Sequence, residues 1–210
     1  MIPILLLALT TGLQFDANVS EKLKAQVLSD FQFLQSIQGS KASPVHAETF
    51  GSVNGSNYQN WFSSRVFYFG LDGCGGNSAV ACVKPQFKNK VWVTSNYTAF
   101  DHPQISRLMT LFHEARHTED AHENWPHAKC PRVFPHRSIW TGGRLANHTA
   151  CDATAYGSYA SASVMLNNVA RFCENCSEKV KADAKIYADD QVLRVIEPAA
   201  IALLKKDFVD

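Results

Sequence analysis

Leu111-Phe112-His113-Glu114-Ala115-Arg116-His117 is the stretch around which the rest of the chain is organised. Ile105, Leu108, Met109 and Phe112 recur at three- and four-residue steps, so residues from about 103 to about 121 are expected to form an amphipathic helix with a buried apolar face. Pro103 suits a first helical turn, and Asp101 or His102 is placed to cap it. On such a helix His113 and His117 lie one above the other. Both imidazoles can then hold one metal ion, Zn2+ being the first expectation, at about 2.0–2.1 Å. Glu114 turns away from that line but stays beside the metal position, where a carboxylate can take a proton from water. Two charges run against the pattern: Arg116 inside it and Glu119 just after it.

Length and composition bound what such a site can belong to. The chain has 210 residues, enough for one sizeable core, and nothing in its composition demands a second domain. A formal net charge of +1, with the charges scattered, gives no electrostatic case for a nucleic-acid partner or an anionic membrane. Six cysteines fall into three neighbouring pairs, Cys74/Cys82, Cys130/Cys151 and Cys173/Cys176. Six cysteines allow fifteen connectivities, and the nearest-neighbour scheme is the one expected, since each pair closes a loop that otherwise lacks a clamp. A cysteine zinc site is disfavoured because Cys173-Glu174-Asn175-Cys176 has no second C-x-x-C to join it.

Ile2 to Leu9 is almost wholly apolar, too short to span a bilayer and of the length of a signal-peptide core. Residues 1–17 are therefore read as a leader and 18–210 as the mature domain, exported to the periplasm or secreted, with no stable membrane insertion. No Lys or Arg precedes the apolar run, and a buried N-terminal strand is the competing reading.

Downstream, Leu23, Val27, Leu28, Phe31 and Leu34 mark a helix over 21–37 capped by Ser20. Residues 39–60 are rich in Gly, Ser and Asn and are expected to be loop. Strands are expected at 65–69, 79–83 and 90–94, the last a candidate edge strand for an extended peptide, with Trp92 packing. Residues 123–146 lose periodicity, 150–172 should form a second buried helix, and 177–206 a final helical stretch interrupted or kinked at Pro198.

A catalytic zinc needs a third protein ligand and one open position. The candidates are Glu119, His122, Glu123, His127, His136, His148 and Asp152. The run Cys151-Asp152-Ala-Thr-Ala-Tyr156-Gly157 resembles the aspzincin, or deuterolysin-like, metallopeptidases, in which a downstream Asp completes the zinc site and a Tyr stabilises the tetrahedral intermediate. The likeness spans the two motifs and the segment between them. It departs where His148 stands for a Gly and where one extra residue separates Asp152 from Tyr156. That insertion makes Asp152 and Tyr156 an i,i+4 pair, able to share one face of a helix. The chain also resembles exported bacterial proteins carrying His-Glu-Ala-Arg-His, His-x-x-Cys-Pro and Ala-Cys-Asp, here ending at His117, Pro131 and Asp152. This second likeness makes His127 the alternative third ligand. A metzincin arrangement is disfavoured, because Glu123 and Asp120 stand where its third His and its Gly belong.

The resemblance implies an α+β, zincin-like single domain: a small sheet, an active-site helix and C-terminal helices, stapled by disulfides. It further implies a zinc peptidase acting on a peptide or protein, with Glu114 as general base, Tyr156 on the oxyanion, and His113, His117 and Asp152 or His127 on the metal. Two other readings stay open, a non-catalytic metal-binding protein and a disulfide-stapled binding module without metal.

Overall fold

The computed structural model describes residues 12–75, 79–99 and 101–209. Among these the fold is α+β, with eight α-helices, a four-stranded sheet, a two-stranded ribbon and the three expected disulfides. None of the described helices is long and apolar enough to cross a membrane. Residues 1–11, most of the expected leader, lie outside the described residues. The rest of the 1–17 segment includes β1 (Gln14–Phe15), which pairs in parallel with Tyr68 and Phe69, and Asp16, whose carboxylate meets Lys90 Nζ at 2.6 Å. Cleavage near Gly12 would spare this edge strand, whereas cleavage after Ala17 would remove it.

Helix α1 (Glu21–Ser36) forms as its apolar spacing dictates, with the Ser20 side chain accepting from Leu23 N–H and Leu23, Val27, Phe31 and Leu34 buried. The segment expected to be loop instead forms α2 (Pro44–Phe50) and α3 (Gly55–Ser63). Both are too short to be stable alone and owe their form to packing. Phe50, Tyr58, Trp61 and Phe62 from these helices surround Phe112 with ring centroids 5.3–6.0 Å away, Trp61 lying flat against it. Gly55 is there for closeness, since a Cβ would stand 2.3 Å from the Gln35 carbonyl oxygen. Its composition resembles that of a loop, but its glycine and small residues serve helix contact.

The main sheet runs β1-β2-β4-β3, with β2 (Tyr68–Leu71) and β4 (Lys90–Val93) parallel and β3 (Ala81–Val83) antiparallel to β4. The expectation that 90–94 is an edge strand is thus corrected: β4 is paired on both sides and Val91, Trp92 and Val93 are buried. The edges belong to β1 and to β3, and the Cys74–Cys82 bond ties β3 to the turn after β2. After the short α4 (Ser95–Ala99), α5 (Gln104–Arg116) passes beneath β3 and β4 and packs on α1, where Arg107 makes a two-pronged pair with the buried Asp30.

Helix α5 ends at Arg116, short of the expected 121. Its last carbonyls are taken by tighter bonds, Thr118 N–H and its hydroxyl both donating to Ala115 O. Strands β5 (Ala128–Lys129) and β6 (Thr149–Cys151) form the ribbon, stapled by Cys130–Cys151. The buried helix α6 (Ser158–Phe172) starts later than the expected 150 and lies between α5 and α7 (Glu178–Val192). Cys173–Cys176 clamps the α6–α7 turn. The interruption expected at Pro198 is a full break between two helices. Pro198 opens α8 (Pro198–Asp207), and the extended backbone before it accepts from Asp152 N–H at Arg194 O and donates from Ile196 N–H to Asp152 O.

Candidate metal centre

His113 sits in the last turn of α5 and His117 is its C-terminal cap, so the helical spacing brings their rings to 5.1 Å. His127 joins them from the following loop, its Nε2 lying 3.2 Å from His113 Nε2 and 3.0 Å from His117 Nε2. The three donor atoms all lie within 4.8 Å of one another. Nitrogens placed tetrahedrally at about 2.0–2.1 Å from one ion would be roughly 3.3–3.4 Å apart, so the spacing is that of a ligand set.

The outer side of each ring fixes which nitrogen carries the proton. His117 Nδ1 lies 2.8 Å from Asn124 O, a group that only accepts, so the proton is on Nδ1 and the Nε2 lone pair is free. His127 Nδ1 faces Asp152 Oδ1 at 3.1 Å, and the His113 ring bonds the Ser158 backbone. Burial, followed by the neighbouring His127, holds His113 well below the usual histidine range and His117 at about 4. With His113 and His117 neutral, three imidazole Nε2 atoms are aimed at one point. A cation there relieves their repulsion, and the donor set fits a divalent ion.

Asp152, the preferred third ligand from sequence, lies behind the three histidines, against the outer nitrogen of His127. Its carboxylate is 1 % exposed, with one oxygen on His127 and the other accepting from Ala160 N–H at 3.0 Å. Gly157 makes room for it, since a Cβ there would stand 2.4 Å from Asp152 Oδ2. The group of three is completed by His127, the alternative candidate.

Tyr156 does not line the cleft that holds the histidines, and its hydroxyl donates to Glu48 Oε2 at 2.7 Å. The assumed i,i+4 relation with Asp152 fails because residues 152–157 are not helical and α6 begins only at Ser158. Tyr159, the second residue of that helix, stands at the site instead, its ring 4.4 Å from His113 and stacked 4.5 Å from His127. In the sequence Tyr159 is only one residue of the buried helix expected over 150–172. The only available signal was its nearness to Asp152 in the chain.

Arg116 and Glu119, the two charges that spoke against the motif, build the loop that delivers His127. Arg116 is buried, donates to Tyr156 O at 3.0 Å, and holds both oxygens of Glu119 at 2.9 Å. Glu119 also accepts from Arg65 Nε at 2.8 Å and Trp125 Nε1 at 2.7 Å. Burial alone would raise its carboxyl, but Arg116, Trp125 and Arg65 together bring it below the ordinary range. The framework offsets backbone strain. Glu123, Asn124 and Trp125 are all left-handed, with φ of 51°, 61° and 49°, at roughly 1–2 kcal/mol each. That left-handed turn carries the Asn124 carbonyl to His117.

Glu114 is 7 % exposed, with Oε1 4.0 Å from His113 Nε2. Burial raises its carboxyl to about 8, and a hydrogen bond from Val83 N–H opposes the shift. All four motif and loop residues, His113, Glu114, His117 and His127, line one cleft of about 880 Å³ between β3, α5 and the 138–150 segment. Of the remaining candidates, Glu123 and His148 line its rim, and His136 packs on Phe134. No known protein family, curated protein or solved structure matches this chain.

Proposed function

We propose that the three histidines bind zinc and that the protein is an exported, zincin-like metallopeptidase. The observation that carries this reading is the convergence of three tautomer-fixed Nε2 atoms beside a buried carboxylate in an open cleft. A set of three imidazoles without thiolate or carbonyl donors suits zinc, with the fourth position left to the cleft. The three disulfides accord with an oxidising compartment.

When bound, the ion supplies a Lewis acid that polarises a carbonyl and brings water's pKa towards about 7. Glu114, aimed by Val83 N–H and ionised once a cation beside it offsets the effect of burial, accepts a proton from water in the cleft and returns it to the leaving amine. Tyr159, whose phenol is hydrogen-bonded to Arg194, is placed to donate to the carbonyl oxygen as negative charge grows there, the role the sequence had suggested for Tyr156. Among the described residues strand β3 has a partner on one side only, and its outer side, where Val83 meets Glu114, faces the cleft. An extended peptide can add to that edge with its carbonyl turned towards the histidines.

The test is a paired comparison. Purified oxidised protein should carry about one zinc per chain, and His113→Ala, His117→Ala and His127→Ala should each lose it. Glu114→Gln should keep its zinc while hydrolysis of a broad peptide library falls by about 10²–10⁴-fold. Unchanged hydrolysis in Glu114→Gln would remove the mechanism, and absence of zinc after refolding with metal would remove the whole reading. Zinc without hydrolysis of any peptide would leave a metal-binding protein with no catalysis.

A further inference from the structure

Arg194, in the link between α7 and α8, is a cation that the proposed chemistry leaves largely unused. It lines the same cleft as the three histidines yet is only 5 % exposed. Its guanidinium lies 4.4 Å from the Tyr159 ring, which in turn stacks on His127, so one aromatic ring separates it from the ligand set. Arginine has five N–H donors and no way to shed its charge. Here Nε is buried with no partner, and the nearest carboxylate, Asp190 Oδ2, is 3.7 Å from Nη2, beyond hydrogen-bonding distance. That carboxylate is already held by the Gln191 amide at 2.6 Å. Among the described residues the Tyr159 phenol is a hydrogen-bonding partner of the guanidinium. A buried guanidinium with spare donors at the wall of an open cleft is costly unless an anion completes it.

The remaining charges lining the cleft point the same way. Lys84, Lys88 and Arg144 join Arg194 against Glu114 and Glu123, with Lys88 engaged by Asp120. The side that would receive substrate is net positive before any metal is added.

We propose that Arg194 is the carboxylate anchor of the cleft, so that the preferred substrate carries a negative group next to the bond presented to His113, His117 and His127. This deepens the peptidase reading and rests on it for the word substrate, but carboxylate binding itself needs neither metal nor turnover. The carboxylate is either the free C-terminus of a peptide or an acidic side chain. A planar guanidinium grips both in the same two-pronged manner.

Two matched pairs of probes separate these sources: N-acetyl-Ala-Ala as free acid and as amide, and N-acetyl-Ala-Glu amide beside N-acetyl-Ala-Gln amide. Each is titrated into the full oxidised chain kept free of metal by chelator, so that no carboxylate–metal bond contributes. Affinity is read by calorimetry and the Arg194 guanidinium by NMR. In at least one pair the acid should bind ten-fold or more tighter than its neutral partner and move the Arg194 resonances, and Arg194→Met should abolish the difference. A preference for the terminal acid marks a C-terminal exopeptidase cleft, and one for Glu marks selection of acidic residues. Equal binding within both pairs, or acid binding that leaves the Arg194 resonances in place, overturns the proposal even if Arg194→Met does not fold. Either result leaves zinc content and the Glu114→Gln comparison untouched, so the two readings fail separately.

Discussion

Replacing Gly157 by alanine adds one methyl group and tests whether Asp152 acts on the metal through His127. The new Cβ would stand 2.4 Å from Asp152 Oδ2 and 2.5 Å from its Cγ, against an ordinary contact limit of 3.4 Å. The backbone of Gly157 has φ −64°, open to any residue, so the clash with the carboxylate is the whole perturbation. Relieving it requires a shift of about 1 Å, since overpacked cores yield by small displacements of side chain and backbone. Asp152 has no room for that without losing a partner. Its oxygens hold His127 Nδ1 at 3.1 Å and Ala160 N–H at 3.0 Å, and its own backbone is tied to Arg194 and Ile196. Loss of an orienting carboxylate typically lowers metal affinity about 10- to 100-fold, or roughly 1.4–2.7 kcal/mol. Overpacking adds a stability cost of about 1–3 kcal/mol.

The assay is zinc competition against a chromophoric chelator, with thermal melting to establish that Gly157→Ala is folded. Asp152→Asn should weaken zinc by a similar factor, and the double variant should be little worse than either, because both remove the same contact. A folded Gly157→Ala protein with unchanged zinc affinity would refute the assignment of Asp152 as the partner of His127. Full additivity with Asp152→Asn would show that the methyl acts elsewhere.

The two tyrosines should separate cleanly. Tyr156→Phe loses an exposed bond to Glu48 and should leave activity unchanged, while Tyr159→Phe should lower turnover about 10²–10³-fold, and the reverse order in a kinetic comparison would defeat the placement. Non-reducing peptide mapping should recover Cys130 linked to Cys151. Replacing both by serine should cost about 3 kcal/mol in denaturant unfolding and also weaken zinc binding, because the link holds the His127 arm to Asp152, and intact zinc affinity would show that the ribbon holds itself. His46, buried against Gly51 O and the Tyr58 hydroxyl, is lowered by burial to about 4. Between about 6.5 and 4 the unfolded chain binds a proton that the folded one refuses. Its contribution is therefore intact above 6.5 and is lost as pH falls through that window, by about 2–3 kcal/mol at the acid end. Urea titrations of the metal-free chain at pH 7 and 4.5 should show a shallower acid loss in His46→Gln, and an equal loss would assign the effect to other groups.

Local pattern was enough for whatever depends on neighbours along the chain. Apolar residues at three- and four-residue steps specify α1 and α5 because a helix presents those positions on one face, and the same spacing puts His113 above His117. Cysteine proximity was enough for the three bonds, since short loops close at small entropic cost. The positions of β2, β3 and β4 were legible within a few residues, but β5, β6 and the strand order were not: that β3 and not β4 forms the edge depends on pairing across the sheet. Helices α2 and α3 escaped notice because their stability comes from Phe112 and its neighbours rather than from their own composition. The third histidine was among several downstream candidates, and only the tertiary structure could choose it. A strained left-handed turn, held by Arg116 and Glu119, brings His127 to the other two, and a disulfide-stapled ribbon sets Asp152 behind it. A metal centre is closed by residues distant in sequence, and the path of the intervening chain, rather than its spacing, decides which of them arrive.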